Sequence, residues 1–263
     1  MRTSWVASSV ALGALAFLYL PMLAVALFSF NKTRHGLSWG GFTLGWYARL
    51  AQDPAILEAA RNTFLLAGVS TLLATLLGTL FALGLERHPF APRVRAFLED
   101  ILHLPVVTPD LILAAALVVA FGFLRAVSSL FEPGFLPMVI GHVTFQVAFV
   151  ALVVMSRLRS LPKELDEAAR DLYATYPDYL RRVLLPLLTP GIVAGAMLAF
   201  TLSLDDFVIS FFTAGPTSQT LPLIIYASTR RGITPEIHAV STLVFSLTLV
   251  LVLLGERLTR RSA

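Results

Sequence analysis

Long apolar stretches separated by short polar ones run through most of the chain. A helix needs about 20 residues to cross a bilayer core of about 30 Å. Six stretches approach or exceed that length: 5–30, 63–85, 101–124, 134–155, from 183 or 190 to 206, and 237–254. A further apolar run, 221–227, is too short to cross. The pattern predicts an all-α, polytopic membrane protein with six transmembrane helices, and we expect residues 1–263 to form a single transmembrane domain.

The first apolar stretch allows two interpretations. It follows a basic residue, as a secretory signal peptide would, and Ala24-Val25-Ala26 resembles a cleavage site. The apolar run is nevertheless long for a signal peptide and continues through Phe28 and Phe30. We therefore expect a retained transmembrane helix.

The third apolar stretch is interrupted by Pro105 and Pro109. The sequence Thr108-Pro109-Asp110 is typical of a helix start, with a Thr cap, Pro at the first position and an acid in the first turn. A helix that began there would have only about 16 residues before Arg125, which is short for a span. We predict a kinked or broken helix within the membrane.

Charge and composition indicate the orientation of the chain. It is 57% hydrophobic and only 14% charged, with a net charge of +4. If there are six spans, 13 of the 20 lysines and arginines share a side with both termini. By the positive-inside rule, that side is cytoplasmic. This distribution explains the net positive charge of the chain, so that the charge does not indicate nucleic-acid binding. The chain has no cysteine, which excludes disulfides, thiolate metal sites and cysteine nucleophiles.

The longest polar segment, 160–192, lies between the fourth and fifth stretches. It holds five of the sixteen acidic residues, and apolar residues recur in it at spacings of three and four: Leu165, Ala168, Ala169, Leu172 and Tyr176. Pro162 suits a first helical turn, and Thr175 with Asp178 suits the cap of a second helix. We predict two short helices joined by a turn at the cytoplasmic mouth. An amphipathic loop lying on the membrane surface is the alternative.

This segment resembles the EAA motif of ABC importer permeases, in Glu167-Ala168-Ala169 and in Leu185-Pro186 at the motif's spacing. The resemblance implies a type I ABC importer permease fold, in which residues 160–182, the docking segment, form coupling helices that bind a cytosolic ATPase. Tyr173 stands where the motif has Gly. Because Gly adopts positive φ at little cost and Tyr does not, we expect the turn to be reshaped and carried by Ala174-Thr175.

Other parts of the chain resemble the second permease subunit of spermidine/putrescine importers: Phe28-Ser29-Phe30-Asn31, Gly41-Phe42-Thr43, Trp46-Tyr47, Pro109-Asp110 and Leu202-Ser203-Leu204-Asp205-Asp206. The resemblance implies a multi-pass subunit of the bacterial inner membrane that forms half of a polyamine pathway, surrounded by lipid. Its implied partners are a second permease, two ATPase subunits and a periplasmic substrate-binding protein. The implied ATPase-coupling residues are Glu167, Ala168, Ala169, Tyr173, Leu185 and Pro186.

Three acids are candidates for the substrate pathway. Asp110 lies about nine residues into its span, roughly 13 Å along a helix. Asp205 and Asp206 lie near the outer end of the fifth span, where carboxylates would suit ammonium groups. The alternatives are a helix cap for Asp110 and a solvated helix end for the pair. His142 and Gln146, one helical turn apart, favour interhelical hydrogen bonding over lining the path.

We find no catalytic or metal-binding motif in the sequence. It contains no GxxxxGK[ST] phosphate loop and no HExxH. We therefore expect no enzyme activity, no catalytic or metal-ligating residues and no cofactor in this chain, with ATP hydrolysed by a partner. Three alternatives stay open: an ion-coupled carrier that uses Asp110 and Asp205, a membrane scaffold or sensor without transport, and an ABC permease for another solute.

Overall fold

The computed structural model describes residues 5–33, 38–162, 164–230, 232 and 234–261, so that Arg2 and Lys163 lie outside the described residues. The described residues form α-helices and connecting loops, and their one β-pairing is an isolated bridge between Asn31 and Phe42. The all-α prediction is confirmed. The helices are α1 (Trp5–Phe28), α2 (Gly45–Leu50), α3 (Pro54–Arg87), α4 (Pro92–Val107), α5 (Asp110–Leu124), α6 (Phe135–Arg159), α7 (Glu164–Asp171), α8 (Tyr176–Tyr179), α9 (Leu185–Leu204), α10 (Val208–Thr213), α11 (Leu221–Thr229) and α12 (Pro235–Arg261).

Four continuous helical segments of the described chain are long and apolar enough to cross a membrane: Ala7–Phe28, Pro54–Arg87, Phe135–Arg159 and Tyr176–Leu204. The bent pair of α4 and α5 gives a fifth if it counts as one span. The predicted last span coincides with α12, whose apolar part Pro235–Val250 is shorter. The count of six spans therefore stays a prediction.

Several helices begin earlier than the apolar pattern indicated. α3 begins at Pro54 rather than near residue 63, because the Asp53 carboxylate accepts hydrogen bonds from Ala55 N (2.9 Å) and Ile56 N (3.4 Å). α4 begins at Pro92 rather than near residue 101, with proline in the first turn. Helix signals thus lie in the polar flanks of these spans and not in their apolar centres.

The third stretch is broken, as predicted: α4 and α5 meet at a bend of 110°. The expected role of Thr108 is wrong, however. Thr108 is the extended C-cap residue of α4, whereas Pro109 is the N-cap of α5, without a capping side chain. The reason is steric, because the ring of Pro109 disfavours a helical conformation at the residue before it. Asp110 does occupy the first turn of α5.

The predicted fifth span also begins earlier, since α8, a π-helical turn at Leu180–Leu184 and α9 follow one another without a break. The π-helical turn comes directly before Leu185-Pro186, and Pro186 has no N–H to donate. The short run at 221–227 is helical, within α11.

The chain divides into two compact units, a terminal unit (1–58 and 224–250) and a central unit (59–223 and 251–263). In the terminal unit, Asn31 is buried at the end of α1 and organises the loop that follows. Its Oδ1 accepts from Gly40 N (2.9 Å), and its carbonyl oxygen accepts from Trp46 Nε1 (2.8 Å). Ser29 Oγ and Tyr47 Oη are 2.7 Å apart.

The core of the central unit surrounds α6, which packs against α4 and α9. Small residues allow this close approach. A Cβ added at Gly191 would lie 2.7 Å from Arg157 Cβ, and one at Gly195 would lie 3.3 Å from Val150 Cγ1. Gly191 and Gly195, four residues apart on one face of α9, therefore serve close helix packing. These contacts place α6 and α9 so that polar side chains on both can meet.

Candidate docking segment and substrate pathway

The docking segment contains the two short helices that the sequence predicted, α7 and α8. Thr175 is the N-cap of α8, and its Oγ1 accepts from Asp178 N at 3.4 Å. The same hydroxyl donates to Asp178 Oδ2 at 2.5 Å. Local capping chemistry therefore defines where the second helix starts.

The turn between the two helices is centred on Tyr173, which has φ of +53°. The prediction that the turn is carried by Ala174-Thr175 is wrong. Ala174 N donates to Ala169 O at 3.0 Å, which makes a Schellman ending of α7 with Tyr173 in the left-handed position usually taken by Gly. A non-Gly residue there costs about 1–2 kcal/mol. The backbone therefore keeps the turn that Gly would form, and Tyr173 is strained in it.

The inner side of the docking segment is anchored to the central unit. Ala169 and Tyr179 pack in a cluster with Leu83, Leu158 and Leu188. The carboxylate of Asp166 forms an ion pair with Arg87 at the end of α3 and accepts a hydrogen bond from the Tyr179 hydroxyl. Arg87 Nη2 also donates to Tyr179 Oη at 3.4 Å. Arg87 and Tyr179 were not predicted as site residues, because no sequence spacing links them to Asp166.

The side chains of the predicted apolar stripe are not buried together on one surface. Leu165 and Ala169 are half-buried, but Ala168 is exposed, and Leu172 and Tyr176 are exposed at 81% and 61%. The helical spacing fails because α7 ends at Asp171, so that the later members lie beyond the helix. Glu167 is exposed beside Ala168, and Tyr173 is 95% exposed. At the start of α9, Leu185 is half-buried and Pro186 exposed.

The pathway candidates occupy three different environments. Asp110 is exposed in the first turn of α5, and Asp205 is the exposed C-cap residue of α9. The side chain of Asp206 is only 9% exposed. Its oxygens accept from Ile209 N (3.3 Å) and Ser210 N (2.8 Å), at the start of α10. Among the described residues, no hydrogen bond or ion pair joins Asp110 to either of the other acids.

His142 is buried between α6, α9 and α10, as expected of a residue that bonds across helices. Its Nδ1 lies 2.7 Å from Ser203 Oγ, and its Nε2 lies 3.1 Å from Ser210 Oγ and 3.2 Å from Asp206 Oδ2. Gln146, also buried, donates from Nε2 to Ala199 O at 3.0 Å. The preference for interhelical hydrogen bonding is thus confirmed for both. Ser203 and Ser210 were missed, since no sequence spacing links them to His142.

Residues 74–262 match the family described as the binding-protein-dependent transport system inner membrane component. The chain belongs to this family. It is a multi-pass component of the inner membrane, and it is a permease subunit, not an enzyme.

Two relatives of this permease subunit come from Escherichia coli (strain K12). The spermidine/putrescine transport system permease protein PotC is 38% identical over 245 residues, which cover 93% of this chain and 90% of PotC. The putrescine transport system permease protein PotI is also 38% identical over 245 residues, covering 93% of this chain and 86% of PotI.

A solved structure has the same fold. A chain of a bacterial ABC transporter involved in the import of the acidic polysaccharide alginate superposes with a TM-score of 0.76 at 21% identity, covering 99% of this permease subunit and 96% of that chain. The type I ABC importer permease fold is confirmed. In such importers the ATPase is a separate chain, so ATP hydrolysis does not belong to this subunit.

Proposed function

We propose that this chain is one of two permease subunits of an ATP-driven polyamine importer, with residues 1–263 acting as a single transmembrane domain. It would form a heterodimer with a second permease, in contact with membrane lipid. Two cytosolic ATPase subunits would bind and hydrolyse ATP, and a periplasmic protein would deliver the solute. Both termini would be cytoplasmic, as the distribution of basic residues favours.

The observation that carries the coupling role is the two-sided character of the docking segment. Its inner side is held by Asp166 and Tyr179, while Leu172, Tyr173 and Glu167 of the same segment are exposed. Exposed apolar residues rimmed by charge mark protein interaction sites. We infer that the ATPase covers this exposed side, which includes Ala168, and that Ala169 and Leu185-Pro186 pass its movement to α9.

The substrate class rests on the relatives and on the acids. The names of both Escherichia coli relatives include a polyamine, and the relatives match this chain over 93% of its length. Ammonium groups make charge-assisted hydrogen bonds with carboxylates, and exposed carboxylates are available at Asp110 and Asp205. We propose that Asp110, Asp205 and Asp206 together form the acidic part of the pathway.

The coupling role is tested by Glu167→Lys in the complete transporter, with ATPase co-purification and spermidine uptake as measurements. We expect both to fall together, since the change reverses a charge at the docking surface. Glu58→Lys, the same reversal at an exposed position outside the docking segment, is the control. If Glu167→Lys leaves ATPase association and uptake intact, the docking role is wrong.

The substrate class is tested by identifying the ligand of the partner binding protein and by uptake of radiolabelled spermidine and putrescine into vesicles. Saturable, ATP-dependent uptake of either amine would support the proposal. A binding protein that retains only an anionic or uncharged solute would contradict it, while leaving the coupling role to be judged by the Glu167→Lys experiment.

A further inference from the structure

A continuous chain of buried polar side chains crosses the central unit. Ser70 Oγ on α3 lies 3.3 Å from Ser203 Oγ on α9, which lies 2.7 Å from His142 Nδ1 on α6. On the other side of the imidazole, Nε2 contacts Ser210 and Asp206. Ser70, His142 and Ser210 have no exposed surface, and Ser203 is 3% exposed. Four separate segments of the chain are therefore tied together through one histidine.

The chemistry of these contacts assigns the hydrogens. A carboxylate can only accept hydrogen bonds, so His142 Nε2 carries the hydrogen that faces Asp206. Asp206 is then bound from two directions, by the imidazole and by Ile209 N and Ser210 N. An isolated carboxylate within a membrane protein is costly, and this arrangement supplies the partners that remove the cost.

These bonds fix the aspartate turn (residues 205–207), where the chain leaves α9 and enters α10. Asp206 is engaged on the protein side of this turn. Asp205, the adjacent residue, is exposed, and its carboxylate forms no ion pair within the described part of the chain. The two neighbouring acids thus differ in role: one is bound by the protein and the other is available to a ligand.

We propose that His142 is a positioning residue for solute transfer: through Asp206 it holds the aspartate turn so that Asp205 presents its carboxylate to an ammonium group of the solute. The assignment rests on the proposed function. In this proposal Asp206 fixes the conformation of the aspartate turn, and Asp205 contacts the solute.

Two substitutions at His142 separate this role from simple packing. His142→Gln keeps one donor and one acceptor on a side chain of similar reach, whereas His142→Leu fills the space without a hydrogen bond. Both are compared as assembled complexes, with the amount of each complex measured first. A residue needed only to fill volume would tolerate Leu as well as Gln.

The first measurement does not require transport. The chain has no cysteine, so Asp205→Cys introduces its single thiol. We expect His142→Leu to change the rate at which 2-aminoethyl methanethiosulfonate labels that thiol by about fivefold, since loss of these bonds releases the turn from its single conformation. His142→Gln should stay within about twofold. Labelling of the Leu variant at the parent rate, in assembled complex, would overturn the proposal.

The second measurement uses spermidine uptake. His142→Leu should raise the half-saturating concentration about tenfold in the otherwise unchanged chain, and His142→Gln should restore most of the loss. In an Asp205→Asn background, His142→Leu should add no further increase, because it acts through Asp205. In an Asp110→Asn background, the increases in half-saturating concentration caused by Asp110→Asn and by His142→Leu should multiply. An equal increase in the Asp205→Asn background would show that His142 acts independently, against the proposal.

The two measurements also separate this inference from the proposed function. If the complex transports neither spermidine nor putrescine, the polyamine proposal fails. The labelling rates still decide whether His142 positions residue 205, because they depend on the exposure of the turn and not on the solute carried.

Discussion

The docking segment and the aspartate turn are both polar interruptions of an apolar chain, and each has a bound acid next to an exposed one. They differ in how far the bound acid is buried: the side chain of Asp166 is 31% exposed, and that of Asp206 is 9% exposed. In the docking segment Glu167 is left in solvent, and α7 and α8 form through local signals. In the aspartate turn Asp206 is withdrawn from solvent and held by α6 and by the backbone of α10. An exposed acid keeps its hydration and can contact a partner. A buried acid loses its water and needs hydrogen-bond donors from neighbouring residues.

The same contrast applies to strain. The docking segment retains a left-handed Tyr173 that nothing buries, which is a local cost accepted within a surface turn. None of the residues 205–207 has a positive φ. The conformation of the aspartate turn is held by side-chain hydrogen bonds instead. A surface turn therefore depends mainly on its own residues, and a buried turn on residues that are distant in sequence.

The largest expected effect is on stability, at Asp206. Asp206→Ala leaves His142 Nε2 and two backbone N–H groups without their acceptor, and each buried donor left unpaired costs about 1–3 kcal/mol. The matched control is Asp205→Ala, at an exposed position, with an effect within about 0.5 kcal/mol. Thermal unfolding of the assembled complex measures both. Equal destabilisation by the two changes would remove the distinction between the acids.

A smaller effect is expected at the anchor of the docking segment. Asp166→Ala removes the partner of Arg87 and of the Tyr179 hydroxyl, which we expect to cost about 1–2 kcal/mol because these groups stay partly solvated. The segment should then be cut faster by a protease under native conditions. Glu164→Ala, at an exposed acid of the same helix without a proposed coupling role, should leave the cleavage rate unchanged. If Asp166→Ala gives no faster cleavage, the anchor is elsewhere.

The cap of α8 offers a local test. Thr175→Ala removes the side-chain acceptor of Asp178 N, with an expected cost of about 1 kcal/mol. Amide hydrogen exchange should accelerate in α8, while exchange in α10 stays as it was. Thr175→Ser retains the hydroxyl and serves as the control. Acceleration that spreads to α10 would show that the two polar regions are not independent.

The smallest effect has the opposite sign. Tyr173→Gly removes the penalty of a left-handed side chain, partly offset by the greater freedom of glycine in the unfolded chain, for a net gain of about 0.5–1 kcal/mol. Leu172→Gly, at a neighbouring exposed residue without positive φ, should destabilise instead. Thermal unfolding of both variants compares them. A loss of stability in Tyr173→Gly would contradict the strain at this turn.

Much of the fold was predictable because its signals are local. Apolar length indicated the spans, Pro105 and Pro109 indicated the break before α5, and Thr175 with Asp178 indicated α8. The errors arose where a neighbour overrode a local preference. Pro109 made Thr108 an extended residue instead of an N-cap, and the end of α7 at Asp171 separated an apolar stripe that the spacing had joined.

The sequence by itself determined that the chain is helical and crosses a membrane, where the docking segment lies, and which acids are candidates for the pathway. Those properties follow from composition and periodicity, which act over a few helical turns. Only the tertiary structure decided that Asp205 and Asp206 differ. The difference depends on His142, 64 positions before Asp206, and on the close approach of α6 and α9 at Gly191 and Gly195. Burial and hydrogen-bond satisfaction belong to packed surfaces, and no local pattern encodes which surfaces will meet.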